Sequence, residues 1–305
     1  MRKFNIFKSF AKRGFCVCLF VAATASACDK GETQSPDAIA TNPEGSLKVD
    51  TIRLLSYNIL EGMKMDKANN YDNFVAWVKK MNPDILALQE ANKLTDAILS
   101  GIAARYGHPH IVTNIKAGDN YPVALTSKYP VEVVSKMIEA VSHGALHVKI
   151  KGVNFVVLHL WPQSYGADNT PGMGDAYRLA ETNIFINNTI KKHTDETRWF
   201  MMGDLNSYSP MDKNDFASGS SQNYDVHDAV LKAGYIDAMR YLHPTFISSV
   251  PTQMNPSGAP RRIDFIYGTE PMMRDLTYAE TVKDDFTDDN SDHYPVMVEF
   301  RIYEE

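Results

Sequence analysis

Six apolar runs of this sequence end in side chains of the kinds that bind metal ions and phosphates. The terminal residues are Asn58, Glu90, His159, Asp204 with Asn206, Asp264, and Asp292 with His293. Any one of them has an ordinary explanation, such as a solvated acid at a strand end, a turn, or a hydrogen-bonded core histidine. Because rigid strands deliver side chains to a shared cleft at their ends, six in one chain predict a common site.

Metal-assisted hydrolysis of a phosphoester accounts for these residue types together. Oxygen ligands such as Glu90, with Asn58 and Asp292, suit a hard cation such as Mg²⁺. The cation stabilises charge on phosphoryl oxygens, a carboxylate orients the attacking water, and histidines donate to the phosphoryl group. The sequence has no Walker loop, Gly-x-Ser-x-Gly elbow, His-Glu-x-x-His motif or dinucleotide glycine fingerprint, which removes the commonest competing classes.

Short strands must position these residues. The predicted strands are Ile52–Ile59, Ile85–Gln89, Val123–Ser127, Val131–Met137, Ala145–Ile150, Val153–Leu160, Trp199–Met202, Ile263–Tyr267 and Val296–Ile302. The predicted helices are Asp72–Met81, Leu94–Tyr106 and Asp175–His193. Helical links early in the chain and hairpin-like links from Tyr121 to Leu160 indicate an α/β domain with mixed sheets.

The N-terminus is predicted to be a processing signal. Residues 1–27 contain five basic residues, no acid, and the apolar run Phe15–Ala23, which is shorter than the ~20 residues of a spanning helix. The sequence Ala25–Cys28 resembles a bacterial lipoprotein signal, in which the chain is cut before the cysteine and the cysteine carries the lipid. The alternative is a plain secretory signal cut after Ala27. Residues 28–49 then form a flexible tether, and residues 50–305 form one domain.

Removal of this segment changes the charge balance. The full chain has 31 basic and 37 acidic residues; losing five basic ones leaves 26, and a net charge of −11 in place of −6. A non-specific nucleic-acid binder relies on Lys and Arg, so this balance disfavours that class. The three cysteines, Cys16, Cys18 and Cys28, leave the domain without a disulfide framework or a cysteine-based zinc site.

The order of the motifs resembles the endonuclease/exonuclease/phosphatase superfamily. This superfamily includes deoxyribonucleases, abasic-site endonucleases, inositol-phosphate 5-phosphatases, deadenylases and neutral sphingomyelinases. The resemblance covers roughly Ile52 to Ile302, and the matching segments are Ser56–Asn58, Asp84–Glu90, Val123–Pro130, Gly203–Asn206, Arg262–Tyr267 and Ser291–Pro295. It implies a four-layer αββα sandwich, two packed mixed β-sheets flanked by helices, with the site at one edge of the sheets.

The resemblance also implies roles for the site residues. It assigns catalysis to His159, Asp204, Asn206, Asp264 and His293, and binding of Mg²⁺ or Mn²⁺ to Asn58, Glu90 and Asp292. Asp204 would act on the water, and Asn206 would orient the water or the phosphate. Asp264 would orient His293, and His159 would contact the phosphate or assist the leaving group.

The sequence departs from its apparent relatives at several positions. Leu60 stands where the abasic-endonuclease branch has an aspartate, and the adjacent Glu61 would point to the other side of a regular strand. The loop from Trp161 to Gly174 is either a substrate-binding loop or an ordinary surface loop. Candidate substrate-binding residues are Tyr121, Trp161 and Arg178; Arg178, Arg261 and Arg262 are either phosphate ligands or surface charges.

We therefore expect a divalent-metal-dependent phosphoester hydrolase, in first place a phosphodiesterase. Its substrate would be a small molecule, a lipid head group or a nucleic acid, and it would be anchored by its N-terminal lipid in the cell envelope outside the cytoplasm. The alternatives are an extracellular nuclease and a surface binding protein that keeps the fold without turnover. Nothing in the sequence implies an obligate protein partner.

Overall fold

The computed structural model describes residues 48–118, 121–216 and 222–304. The predicted signal peptide, Cys28 and nearly all of the predicted tether lie outside these residues. The first strand begins at Lys48, slightly before the predicted domain start, because Lys48 and Val49 pair with the last strand. No helix in the described ranges combines the length and apolar character that crossing a membrane requires.

Strands form two sheets of six in the described part of the chain. They are β1 (Lys48–Asn58), β2 (Ile85–Gln89), β3 (His110–Thr113), β4 (Ala124–Ser127), β5 (Glu132–Met137), β6 (Ala145–Ile150), β7 (Val153–His159), β8 (Trp199–Asp204), β9 (Tyr235–Asp237), β10 (Asp264–Thr269), β11 (Leu276–Thr281) and β12 (Val296–Glu304). The first sheet has the order β11-β12-β1-β2-β4-β3, and the second has the order β5-β6-β7-β8-β10-β9. β1 pairs parallel with β2, and β7 with β8, while the other pairs are antiparallel, so both sheets are mixed as predicted.

The described helices pack on the outer faces of the sheets and beside the core between them. They are α1 (Leu60–Met63), α2 (Asp72–Met81), α3 (Asp96–Arg105), α4 (Gly174–Asn188), α5 (Asp225–Lys232), α6 (Ala238–Leu242), α7 (Glu270–Arg274) and α8 (Asp285–Asn290), with 3₁₀ turns at Lys67–Asn69 and Pro210–Asp215. The apolar core between the sheets includes the neighbouring rings of Phe155, Phe200 and Phe300. A second cluster packs α2 and α3 on the first sheet, and a third packs α4 and α5 on the second. This arrangement confirms the predicted αββα sandwich.

The predicted elements differ from the observed ones mainly at the ends. β2, β6 and α2 have the predicted bounds, whereas α4 ends at Asn188 and not at His193. Helix α4 ends there because Asn187, Asn188 and Thr189 have low helix propensity. The Thr189 hydroxyl donates to the Phe185 carbonyl at 2.6 Å. Strands β3, β9 and β11 were not predicted. β9 has only three residues, and a register shift near Leu276 breaks the alternation of β11.

A buried ion network joins Arg262, just before the start of β10, to the end of β9 and to the 3₁₀ turn at Pro210–Asp215. The Arg262 guanidinium, 2% exposed, donates to both carboxylate oxygens of Asp212 at 2.9 Å and to Asp237 Oδ1 at 2.9 Å. Arg240 also donates to Asp212, through Nε at 2.9 Å. Arg262 is therefore neither a phosphate ligand nor a surface charge, because its donors are engaged inside the protein.

Arg262→Ala should lower the free energy of unfolding by about 3–5 kcal/mol, because it leaves Asp237 and part of Asp212 as buried, unpaired carboxylates. Urea unfolding followed by circular dichroism measures the change. The matched control is Arg274→Ala, which breaks an exposed pair with Glu270 and should change the stability by less than about 0.5 kcal/mol. Equal stabilities of the two variants would contradict the conclusion that Arg262 stabilises the fold through buried ion pairs.

Candidate active site

The topology gathers the predicted residues at one edge of the two sheets. β1 and β2 run parallel, so Asn58 and Glu90 come at neighbouring strand ends. β7 and β8 also run parallel and end at the register partners His159 and Asp204. β10 runs antiparallel to β8 and begins at Asp264, directly opposite Asp204. Strand direction and register therefore bring together residues that are far apart in the sequence.

Asn58 connects the two sheets at this edge. Its Nδ2 donates to Asp204 Oδ2 at 3.1 Å and to Glu90 Oε1 at 3.2 Å. Its backbone carbonyl accepts from Ser291 Oγ at 2.7 Å, which holds the segment just before Asp292 against the end of β1. One side chain thus links a predicted metal ligand on the first sheet to the predicted catalytic carboxylate on the second.

The chain leaves β1 through an unusual left-handed segment. Residues 60–63 all have positive φ, as does Glu90 (φ 55°). The backbone N–H of Glu61 donates to Glu90 Oε2 at 2.9 Å, while the Glu61 side chain pairs with Lys64 at 3.0 Å. Because β1 ends at Asn58, the regular-strand geometry assumed for Glu61 does not apply, and its backbone, not its carboxylate, supports the site.

The position before Asp204 accepts only glycine. Gly203 has φ 143°, and a Cβ there would lie 1.9 Å from the carbonyl oxygen of Leu158. Beyond it, the backbone N–H of Asn206 donates to Asp204 Oδ1 at 2.9 Å, and Asn206 Nδ2 donates to the Leu160 carbonyl at 3.1 Å. The Asp204 carboxylate is therefore oriented by two features: the close approach of β7 to β8, and the turn at Asn206.

Two histidines of opposite character face Asp204. His293 Nδ1 lies 2.8 Å from Asp264 Oδ2, and its Nε2 lies 3.8 Å from Asp204 Oδ2. Burial lowers the pKa of His293, but the charges of Asp264 and Asp204 outweigh burial and raise the pKa to about 10. His159 Nε2 lies 3.7 Å from the same oxygen, and burial, with the neighbouring His143, lowers the pKa of His159 to about 3. At neutral pH one ring is charged and the other neutral.

The donor set fits a divalent cation. Glu90 and Asp292 supply carboxylates, and Asp292 Oδ1 is buried without a hydrogen bond from any described residue, as is Asp264 Oδ1. A buried carboxylate oxygen without a donor favours a bound cation. Possible ligand atoms of Asp204, Asp264 and His293 also lie within 4.8 Å of one another. Oxygen-rich sets of this kind suit Mg²⁺ or Mn²⁺.

Two of the three predicted substrate residues lie at the rim of this site. Tyr121 is 37% exposed and Trp161 is half-buried. Their ring centroids lie 5.2 Å and 6.2 Å, respectively, from that of His143, and the His143 ring stacks on His159 at 4.6 Å. The two aromatic side chains therefore approach the site through His143.

The third predicted substrate residue, Arg178, makes its contacts inside the protein. Its guanidinium is buried and donates to the carbonyls of Trp161 at 2.8 Å and Gln163 at 3.0 Å, and to Asp175 at 2.5 Å. These bonds engage the guanidinium in holding the loop after β7. Arg178 thus positions the loop that carries Trp161.

Sequence reasoning missed His143 and Glu181. Glu181 is 1% exposed and accepts from Ser142 N and Oγ, both at 2.6 Å, and from Trp161 N at 3.0 Å. It therefore joins the two loops beside His159. Its helical spacing from Phe185, four residues later, marks a buried face and could have revealed it. His143 precedes a strand and does not end one, so the pattern of polar residues at strand ends could not reveal it.

The sequence matches the endonuclease/exonuclease/phosphatase family over residues 55–293. This match spans well over half of the chain and contains every strand-end residue described above, so the chain belongs to this family, as its motifs predicted. Family membership supports a phosphoester hydrolase, and its members typically depend on divalent metals, in keeping with the Asp-Asp-His group. Comparison with curated protein sequences found no match.

Three solved structures are similar to this chain. They are an AP endonuclease from Archaeoglobus fulgidus (21% identity, TM-score 0.65, covering 82% of this chain and 99% of that one), a 3′-5′ exonuclease from Neisseria meningitidis (19%, 0.62, 82% and 99%) and an endonuclease/exonuclease/phosphatase family protein from Bacteroides thetaiotaomicron (15%, 0.60, 84% and 97%). At these identities the likeness establishes the fold alone.

The two site histidines should differ in charge in the metal-free protein. Imidazole nitrogen chemical shifts should show His293 protonated and His159 neutral from pH 6 to 8, following the raised and lowered pKa values. Asp264→Asn should move the pKa of His293 down towards about 6.5, because it removes the nearest carboxylate charge. A neutral His293 at pH 7 in the unsubstituted protein would contradict this electrostatic description.

Proposed function

We propose that this protein is a divalent-metal-dependent phosphodiesterase. The observation that carries the proposal is the surroundings of Asp204. Its Oδ2 accepts from Asn58 at 3.1 Å and lies 3.7 Å and 3.8 Å from Nε2 of His159 and His293. A carboxylate between an amide and two imidazoles can orient a water molecule and accept its proton. Burial raises the pKa of Asp204, which strengthens it as a base, although His293 acts in the opposite direction.

The histidines would act on the phosphoryl group. The protonated His293, held by Asp264, places a positive Nε2–H at the site where phosphoryl oxygens gain charge. His159 is neutral and would offer a hydrogen bond to the phosphate or the leaving oxygen. Mg²⁺ or Mn²⁺, held by Asn58, Glu90 and Asp292, would supply Lewis-acid stabilisation of the same charge.

The charge of the site favours a diester over a monoester. The predicted site contains four carboxylates, those of Glu90, Asp204, Asp264 and Asp292, together with the cationic ring of His293, so even a bound divalent cation would leave these groups with a net charge of about −1. A phosphodiester carries one negative charge, whereas a monoester dianion would be repelled more strongly. Two of the similar structures are an AP endonuclease and a 3′-5′ exonuclease, which supports a nuclease as the second candidate.

Asp204→Asn should lower kcat on bis(p-nitrophenyl) phosphate by about 10²- to 10⁴-fold, because the amide cannot accept the proton of the water. The assay is run with Mg²⁺, with Mn²⁺ and with a chelator, which should abolish turnover. Asp285→Asn, an exposed aspartate of α8, is the matched control. Undiminished turnover by the Asp204 variant, or turnover in chelator, would refute the mechanism; binding without any turnover would favour the non-catalytic alternative.

We further propose that the mature protein begins at Cys28 and is anchored by a lipid on that residue outside the cytoplasm. The basic segment, the short apolar run and Ala25–Cys28 support this. The lipid would tether the domain through residues 29–47.

Cys28→Ser should remove the lipid and move the protein from the membrane fraction to the soluble fraction of a bacterial host. Intact mass and detergent phase partitioning measure the change. Cys18→Ser, within the removed segment, is the control and should leave lipidation intact. A Cys28 variant that still partitions into detergent would refute the anchor.

A further inference from the structure

A pocket with aromatic walls lies beside His159. It has a volume of about 380 Å³ and is lined by Tyr121, His143 and Trp161, with Lys116 and Gly118 among the remaining residues. The rings of His159, His143 and Trp161 follow one another at small interplanar angles, 27° and then 22°, and Tyr121 stands at 71° to His143. The pocket is thus one ring away from the histidine that faces Asp204.

The walls of this pocket are held in place by buried bonds. Glu181 accepts from both Ser142 and Trp161, so one carboxylate joins the segments that carry His143 and Trp161. Trp161 Nε1 donates to the Tyr165 carbonyl at 2.6 Å. Preorganised walls lose little conformational entropy when a ligand binds, so they favour a defined ligand over a non-specific one.

The chemistry of the lining selects a planar, uncharged ring. Aromatic faces stack on planar rings, and a nucleobase of any type gains affinity by stacking on an aromatic side chain. Lys116 Nζ is fixed by the carbonyls of Ile138 at 2.9 Å and Val141 at 2.7 Å, which places a positive charge at the pocket. A quaternary ammonium head group would be repelled by Lys116, whereas the carbonyl and ring-nitrogen acceptors of a nucleobase would be attracted.

We propose that this pocket binds the nucleobase of a nucleoside phosphodiester whose phosphate lies at His159 and Asp204. The inference rests on the proposed function, because it assumes that the phosphate occupies that site. It makes Tyr121 a specificity-determining residue, which recognises the group esterified to the phosphate without taking part in the chemical step.

Two diesters with the same leaving group test the pocket. They are p-nitrophenyl thymidine 5′-phosphate and ethyl p-nitrophenyl phosphate, with p-nitrophenyl phosphorylcholine as a third arm. We expect kcat/KM to be at least about tenfold higher for the nucleoside ester than for the ethyl ester, in line with one stacked base. Equal values for these two esters, or a preference for the choline ester, would overturn the proposal.

Tyr121→Leu should lower the ratio of kcat/KM between the nucleoside and ethyl esters by about fivefold or more, because leucine fills similar space without a π-face. Tyr121→Phe should restore most of the ratio. Tyr241→Leu, an exposed tyrosine of α6, is the matched control. General damage to the active site would lower both rates and leave the ratio unchanged, and that result would count against Tyr121.

Calorimetric binding separates this inference from the proposed function. The methyl diesters of thymidine 5′-phosphate and of 2-deoxyribose 5-phosphate share a phosphodiester and a sugar, but only the first has a base. If the thymidine ligand binds more tightly than the ligand without a base, if Tyr121→Leu abolishes this difference, and if no ester is hydrolysed, the nucleobase pocket is supported and the phosphodiesterase activity is refuted. Hydrolysis without a base preference would refute the pocket alone, and equal binding of the two ligands without hydrolysis would refute both.

Discussion

The hydrogen bond from the Asn58 amide to the Asp204 carboxylate is the interaction on which the rest of the site depends. It joins the end of β1 in one sheet to the end of β8 in the other, so the two sheets must pack in one register for the site to exist. The core between the sheets, with Phe155, Phe200 and Phe300 neighbouring one another, supplies that register. Packing of the core between the sheets thereby sets the distance between Asn58 and Asp204 at the edge of the sheets.

Charge balance is the second constraint on the molecule. The site concentrates carboxylates where burial penalises their charged forms, and His293 provides a positive side chain against them. A buried carboxylate oxygen of Asp292 accepts no hydrogen bond from a described residue, and this favours the proposed cation. By contrast, Arg262 and Arg240 together offset the charges of Asp212 and Asp237 within the protein, and that cluster serves stability and not chemistry.

The sequence predicted much of the fold and the strand-end residues, for a clear physical reason. Central strands such as β7 are buried on both faces, so their apolar runs are continuous and their ends are sharply marked by His159 and similar residues. Short or irregular elements, such as β9 and β11, lack that contrast and were missed. The sequence did not reveal that Arg178 holds a loop, because a buried arginine that holds loop carbonyls has the same local sequence as one that binds phosphate.

The sequence by itself determined the family, the αββα sandwich and the chemical types at the site, because these depend on residue identity and periodicity along the chain. Only the tertiary structure decided which groups touch: that Asn58 bridges the sheets, that Glu181 joins the loops of His143 and Trp161, and that Arg262 is buried. The reason is that these contacts link residues 20 to 146 positions apart. No local sequence pattern encodes contacts between residues so far apart in the chain; these contacts form only when the elements pack in the folded protein.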